Sequence, residues 1–295
     1  MIQVRRIASV SFETPDLERQ VEYYSEILGL TLVDRDSDTA YLSSVNDHHS
    51  VVLKRGGEPR CLALAFQISP QDDLAEFERQ LSGFSVKTQR MGDPEPSIPE
   101  FVSFQDPKGT TINVFREQVL SPQPYKSPGV VPLKLGHVDV KAPTVEKLAE
   151  FYCKALGFRL SDRIEDYFLF LRCGPDHHTV NFIESPRVKM HHVAFELRDA
   201  THIFSACDFL GHHDYPQIWG PGRHVRGHNI FTYHRNPDRQ IVELFTQLDQ
   251  MPDEEIGVFE PRPWHADRPH IPKRWPRDPR AVNLWGVMPP ADFME

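Results

Sequence analysis

What the sequence lacks narrows its chemistry first. Only four of its 295 residues are cysteine, and Cys61, Cys153, Cys173 and Cys207 show neither a CxxC spacing nor a pairing pattern. Neither a thiolate zinc site nor a disulfide framework is indicated, and a reducing, cytoplasmic setting fits. No run approaches the ~20 apolar residues that a spanning helix needs. The opening residues, Met1 to Arg6, pass straight into an apolar strand pattern without the apolar stretch of a signal peptide. The reading is a soluble, unprocessed chain with no membrane partner. Positive charge is also short: 33 Lys and Arg stand against 42 Asp and Glu, a formal net charge of −9. A surface of that sign repels phosphate backbones and anionic lipid, which argues against nucleic acid and for a small-molecule partner.

What is present is a repeat. Hydrophobic residues make up 39% and aromatic residues 11% of the chain, enough for a core in each of two domains, the expected number above roughly 100–200 residues. The segment Ile7-Ala-Ser-Val-Ser-Phe-Glu-Thr-Pro, leading through an amphipathic run to Leu28-Gly-Leu, is answered by Leu135-Gly-His-Val-Asp-Val-Lys-Ala-Pro, leading to Leu156-Gly-Phe. Leu62-Ala-Leu-Ala-Phe is answered by His191-His-Val-Ala-Phe, and Asp106-Pro-Lys-Gly-Thr-Thr-Ile-Asn-Val-Phe by Asn236-Pro-Asp-Arg-Gln-Ile-Val-Glu-Leu-Phe. Three blocks in one register make chance a poor explanation.

Each half repeats again within itself: a short alternating strand, one helix such as Val145 to Leu156, then short strands broken by Gly, Pro, Asp and Asn turns. The spacing predicts an α+β fold of four βαβββ modules at residues 7–54, 60–117, 135–184 and 190–247, paired into two domains with curved mixed sheets. The expected boundaries are an N-terminal domain at 1–120, a Pro/Ser-rich linker at 121–132, a C-terminal domain at 133–250 and a tail at 251–295. From Pro252 onward that tail carries nine prolines and three of the four tryptophans, Trp264, Trp275 and Trp285. Dense proline favours extended chain, but a disordered segment rarely carries so much tryptophan. The tail is expected to pack on the C-terminal domain or on a neighbouring subunit, which points to a homo-oligomer.

Glu243 is the most informative single residue, because Ile241-Val-Glu-Leu-Phe otherwise reads as a fully buried strand. A carboxylate there needs a cation, either a structural Arg or Lys or a metal. The first strands of the third and fourth modules each carry a histidine among apolar neighbours, His137 and His192. A lone strand histidine is ordinarily a satisfied core residue. Two at matched places together with a buried carboxylate are the donor set of non-haem Fe(II) oxygenases, which leaves neighbouring positions open. Strand alternation favours His192 over His191, and His178 over His177, as the inward-facing member of each pair. The first half has Ser9, Ala63 and Asn113 at the places of His137, His192 and Glu243, so one metal per chain, in the second half, is expected.

These blocks, with Gly220-Pro-Gly-Arg-His and Tyr233, resemble the type I extradiol catechol dioxygenases of the vicinal oxygen chelate superfamily over residues 5 to about 248. The resemblance implies Fe(II), with Mn(II) also compatible, held by His137, His192 and Glu243. It implies O2 and a catechol-type aromatic as substrates, cleaved beside one hydroxyl to a muconic semialdehyde. His178 matches the acid-base residue, His224 and Tyr233 the pair that hydrogen-bonds the substrate oxygens, and Phe170, Trp219 and Arg226 the substrate-binding wall. The sequence departs from the family at Asn236-Pro-Asp-Arg239, where Arg239 replaces a glycine that would ease a positive φ. The alternatives are a glyoxalase-like isomerase or another metal enzyme of the superfamily, and a metal-free small-molecule binder on the same scaffold.

Overall fold

The computed structural model describes residues 1–45, 47–120, 128–260, 268–278, 280 and 282–294. Trp264 and residues 121–127 of the expected linker lie outside them. The first module is β1 (Arg6–Thr14), α1 (Leu17–Glu22, prolonged by a π-helical turn at Tyr23–Ile27), β2 (Thr31–Arg35), β3 (Thr39–Ser43) and β4 (Val51–Arg55). The second is β5 (Arg60–Gln67), α2 (Leu74–Ser82), β6 (Gln89–Glu95), β7 (Ile98–Gln105) and β8 (Thr111–Phe115). The third is β9 (Lys134–Ala142), α3 (Val145–Leu156), β10 (Arg159–Ile164), β11 (Phe168–Arg172) and β12 (Val180–Glu184). The fourth is β13 (Lys189–Glu196), α4 (Ala200–His212), β14 (Trp219–Arg223), β15 (Ile230–Arg235) and β16 (Ile241–Thr246). All four read βαβββ, the α+β repeat expected. Among the described residues no helix is long and apolar enough to cross a membrane.

Local chemistry starts these helices at the same point in each module. Asp16, Asp73 and Asp199 accept from the backbone N–H groups of Arg19, Ala75 and His202, supplying partners to the helix N-termini. At α3 the cap comes from a neighbouring strand, because both carboxylate oxygens of Glu184 accept from Thr144 and Val145 N–H at 3.0 Å.

The chain divides into two compact units, Met1–Leu135 with Glu150–Phe158, and Gly136–Ala149 with Arg159–Glu295. In the first unit the eight-stranded sheet runs β2-β3-β4-β1-β5-β8-β7-β6. Ser9 and Asn113 are buried in it beside a cluster of Ala8, Ala65, Ile98, Phe101 and Phe115. At the places where the second unit carries two imidazoles and a carboxylate, this unit carries Ser9, Ala63 and Asn113.

The second sheet runs β14-β15-β16-β13-β9-β12-β11-β10-β17. Parallel pairs β13–β16 and β9–β12 flank the central contact between β13 and β9. This order sets β16, β13 and β9 side by side, so residues on one face of three neighbouring strands converge. The tail adds β17 (Lys273–Trp275), parallel to β10, and a 3-10 turn at Ala291–Met294 whose Phe293 packs with Trp219, Phe231 and Tyr233. Arg239, in the turn before β16, adopts φ 61°, the left-handed conformation that a glycine would reach without strain.

Close backbone approach decides one position beside the site. A Cβ on Gly136 would lie 2.3 Å from Cζ of the fully buried Phe245 ring, which itself packs 4.9 Å from the His137 ring. Overpacking of this kind costs about 1–3 kcal/mol. Gly136→Ala is expected to lower the urea midpoint accordingly, and Phe245→Leu in the same chain to recover part of the loss; an unchanged midpoint in the single variant would contradict the packing argument.

Candidate metal centre and cavity

Strand register brings the three expected donors together. His192 and Glu243 lie on paired strands, with Ala194 opposite Glu243 and His192 opposite Ile241, while His137 sits on the next strand over. Glu243 Oε2 is 3.1 Å from His137 Nε2 and 3.0 Å from His192 Nε2, and the two imidazole nitrogens are 3.4 Å apart. All three side chains are buried. Glu243 Oε1 accepts from Asn229 Nδ2 at 3.0 Å.

Neighbouring groups fix which ring nitrogen is free. His191 Nε2 lies 2.8 Å from the Phe293 carbonyl oxygen, so it must carry the proton and donate. Its Nδ1, 2.8 Å from His192 Nδ1, then accepts, and the proton on His192 Nδ1 leaves the His192 Nε2 lone pair facing Glu243 and His137. The same logic runs through His177, whose Nε2 lies 3.3 Å from Asp162 Oδ2 and whose Nδ1 lies 3.0 Å from His178 Nδ1. His178 Nε2 is left as a lone pair. His224 Nδ1 donates to Val282 O at 2.6 Å, so His224 Nε2 accepts from the Tyr233 hydroxyl at 3.0 Å.

The electrostatics follow from burial against these neighbours. Burial alone would raise the Glu243 carboxyl, but His137 and His192 outweigh it and hold the group well below the usual carboxylate range. Burial pushes His178 well below the ordinary histidine value, reinforced by His137 and His177, and takes His191 to about 3 and His224 to about 4. Burial, then Glu243, raises the Tyr233 phenol well above 10. At neutral pH the pocket holds an ionised carboxylate, neutral His178, His191 and His224, and a protonated phenol, while His192 is raised against its burial by Asp139 and Glu243.

That donor set fits a divalent cation. The His192 Nε2 lone pair and the Glu243 carboxylate, 3.0 Å apart, repel unless a positive centre lies between them, and His137 Nε2 stands 3.1 Å from the carboxylate and 3.4 Å from His192. Three donors at about 2.1 Å from one ion and at right angles to each other are about 3.0 Å apart, close to the observed separations. Two nitrogens and one oxygen with no thiolate suit iron or manganese.

The donors open onto a cavity of about 430 Å³, within the roughly 300–1,000 Å³ of small-molecule sites. His178, His224, Tyr233, Phe170, Trp219 and Arg226 all line it. Phe168 and Phe170 stack at 4.3 Å, and Trp219 stacks on its cross-strand partner Tyr233 at 5.3 Å. Tyr233 is also the cross-strand partner of Glu243. The tail supplies part of the wall through Arg277, Val282, Met288 and Phe293, and Trp219 Nε1 donates to Val287 O at 2.7 Å.

Strand alternation leads to the expectation that His192 and not His191 faces the interior; in the structure His192 Nε2 lies beside Glu243 and His137, and His191 is in the interior as well. Both lie on the cavity wall and both are buried, because the tail covers His191 at Phe293. Sequence reasoning missed Asp139, Asn181 and Asn229. Asp139 shares the parity of His137 two residues on, sits opposite Asn181 in the register of β9 and β12, and lies 3.7 Å from His192 Nε2. Parity was the available signal for it; nothing local marks Asn229.

Residues 134–244 match the model of the Glyoxalase/Bleomycin resistance protein/Dioxygenase superfamily. The second half of the chain carries a domain of that superfamily. Metapyrocatechase 2 of Cupriavidus necator is 28% identical over 271 residues, 84% of this chain and 83% of that protein. Manganese-dependent 2,3-dihydroxybiphenyl 1,2-dioxygenase of Geobacillus genomosp. 3 is 26% identical over 270 residues, 83% of this chain and 85% of that one. The Mn(II)-bound glyoxalase from Novosphingobium aromaticivorans shares the fold at a TM-score of 0.87 and 22% identity, over 99% of this chain and 94% of that one. The donor cluster and the cavity both lie within this domain and the tail that follows it.

Two measurements test the superfamily domain's site. Asn229→Ala should weaken Mn(II) binding by roughly 10–100-fold and Glu243→Gln by more than that, read by equilibrium dialysis; wild-type affinity in Glu243→Gln would remove the carboxylate from the centre. His191, His224 and His234 are neutral when folded, burial taking His234 to about 3, and each takes up a proton on unfolding below its ordinary 6.5. Metal-free protein should therefore lose stability steadily as pH falls from about 6.5 towards 3–4, seen as a falling urea midpoint.

Proposed function

We propose that this protein opens the ring of a catechol-type aromatic with O2, between a hydroxyl-bearing carbon and its neighbour outside the diol, at one divalent metal held by His137, His192 and Glu243. Fe(II) is the proposed ion, with Mn(II) able to occupy the same donors. The observation that carries the reading is the meeting, in one aromatic-walled cavity, of this donor cluster with three proton-handling groups, His178, His224 and Tyr233. The relatives named metapyrocatechase and dihydroxybiphenyl dioxygenase support it.

When bound, the metal supplies neighbouring open positions for the diol and O2 and a route for electron density from ring to oxygen. The residues do the proton work. His178 is neutral with its Nε2 lone pair free, so it takes a proton from a catechol hydroxyl; once charged, it is the acid that returns that proton to an oxygen atom as the O–O bond breaks. Asp162, through His177, fixes its tautomer. Tyr233 keeps its proton at any working pH and donates it in a hydrogen bond to His224 Nε2, which leaves its hydroxyl oxygen to accept from a substrate hydroxyl. Phe168, Phe170 and Trp219 hold the ring and exclude water. The product is a muconic semialdehyde, which is yellow.

The test is reconstitution with Fe(II) without oxygen, then addition of O2 and a panel of catechols, scored for yellow product and oxygen uptake. A glyoxalase-like isomerase consumes no oxygen, so uptake separates the two readings. His178→Ala should retain metal and catechol binding yet turn over about 10²–10⁴-fold more slowly. Wild-type rates in that variant would remove His178 from its role.

A further inference from the structure

We infer that the preferred substrate carries a carboxylate on its ring or on a short side chain, held by Arg226. This rests on the ring-cleavage reading and names the substrate class within it. Arg226 lies in the loop between β14 and β15, lines the cavity and is only 4% exposed. A guanidinium presents five N–H donors in a rigid fork. Among the described residues Arg226 uses one of them, in a 3.3 Å hydrogen bond from Nη2 to Pro276 O, and its face lies 5.3 Å from the Trp275 ring. Among the described residues its Nε is buried with no partner, and no carboxylate lies within ion-pairing distance of it.

The charges around it are already matched. Asp162, a buried acid whose charge acts on Arg226, faces His177 at 3.3 Å and Lys273 at 3.5 Å. Asp278 pairs with Arg280 at 3.4 Å, and Arg277, the other arginine on the wall, pairs with Glu165 at 3.1 Å and lies over Tyr167. Burial without a partner draws the Arg226 guanidinium down to about 10, still a cation at neutral pH. A buried cation with unmade donors is costly unless an anion completes it. The planar fork matches the two oxygens of a carboxylate. With the diol taken up at His137, His192 and Glu243, a carboxylate elsewhere on the ring is left to Arg226 on the cavity wall.

The experiment compares catechols bearing a carboxylate directly, or through one or two methylenes, each with its primary amide, which has the same shape without the charge. For the best-fitting pair, kcat/KM for the acid should exceed that for the amide by about tenfold or more, carried mainly by KM. Arg226→Met should bring the ratio close to one, and Arg226→Lys should keep part of it. Anaerobic titration of each pair into metal-loaded wild type and variants should give the same ratios in Kd, so binding decides the point even without turnover. Equal use of acids and amides by wild type, or an undiminished ratio in Arg226→Met, would overturn the inference while leaving ring cleavage intact. Absence of oxygen uptake with every pair would overturn ring cleavage, and the Kd ratios would still judge Arg226.

Discussion

A carboxylate buried in the middle of an apolar strand is the constraint around which the second unit is organised. Glu243 cannot stay ionised there without positive charge or directed donors, and the fold supplies both kinds of answer: imidazoles on the next two strands of the sheet, and the Asn229 amide on the remaining oxygen. Because the three donors come from neighbouring strands of one sheet, backbone hydrogen bonds set their spacing and no loop has to close for them to meet. Two of them rest on further partners, His192 on His191 and the Phe293 carbonyl, and Glu243 on Asn229. The arrangement is preorganised by packing, the condition under which a site gains from its surroundings.

Most of this was legible in the residues. Period-two alternation, Asp-led helix starts and the 128–130-residue offset between blocks carried the four βαβββ modules, since each depends on local chemistry that a sequence displays. The donor cluster was legible for a different reason. Titratable residues inside otherwise apolar strands contradict their surroundings, and His137, His192 and Glu243 did so at matched places where the first half has the uncharged Ser9, Ala63 and Asn113. The first unit carries a fainter echo: Asp47-His48-His49 answers Asp176-His177-His178, with His48 Nδ1 3.0 Å from His49 Nδ1, and His49 Nε2 faces Glu95 at 3.2 Å.

The rest depends on contacts over long sequence separations. Alternation could say which of His191 and His192 points to the cluster, but not that residues a hundred positions later would cover the other. Asn229 sits in a loop with no pattern around it, and its amide matters only because β15 and β16 bring that loop beside Glu243. The wall residues of the tail come from a proline-rich stretch whose composition says extended chain and nothing about where that chain lies. Arg226 could be assigned to the wall by resemblance, yet its unmade donor is a property of packing alone.

The order of parts along the chain has its own consequence for assembly. A polypeptide synthesised from its N-terminus completes the eight-stranded sheet, with its filled apolar interior, before any donor strand has emerged. His137 and His192 follow, and Glu243 comes only with the last strand of the fourth module. Phe293, whose carbonyl holds His191 and through it His192, arrives among the final residues. Completion of the donor cluster and closure of the cavity wall are therefore late events, separated by some fifty residues of translation, and a nascent chain holds its candidate donors together before the wall that shields them exists.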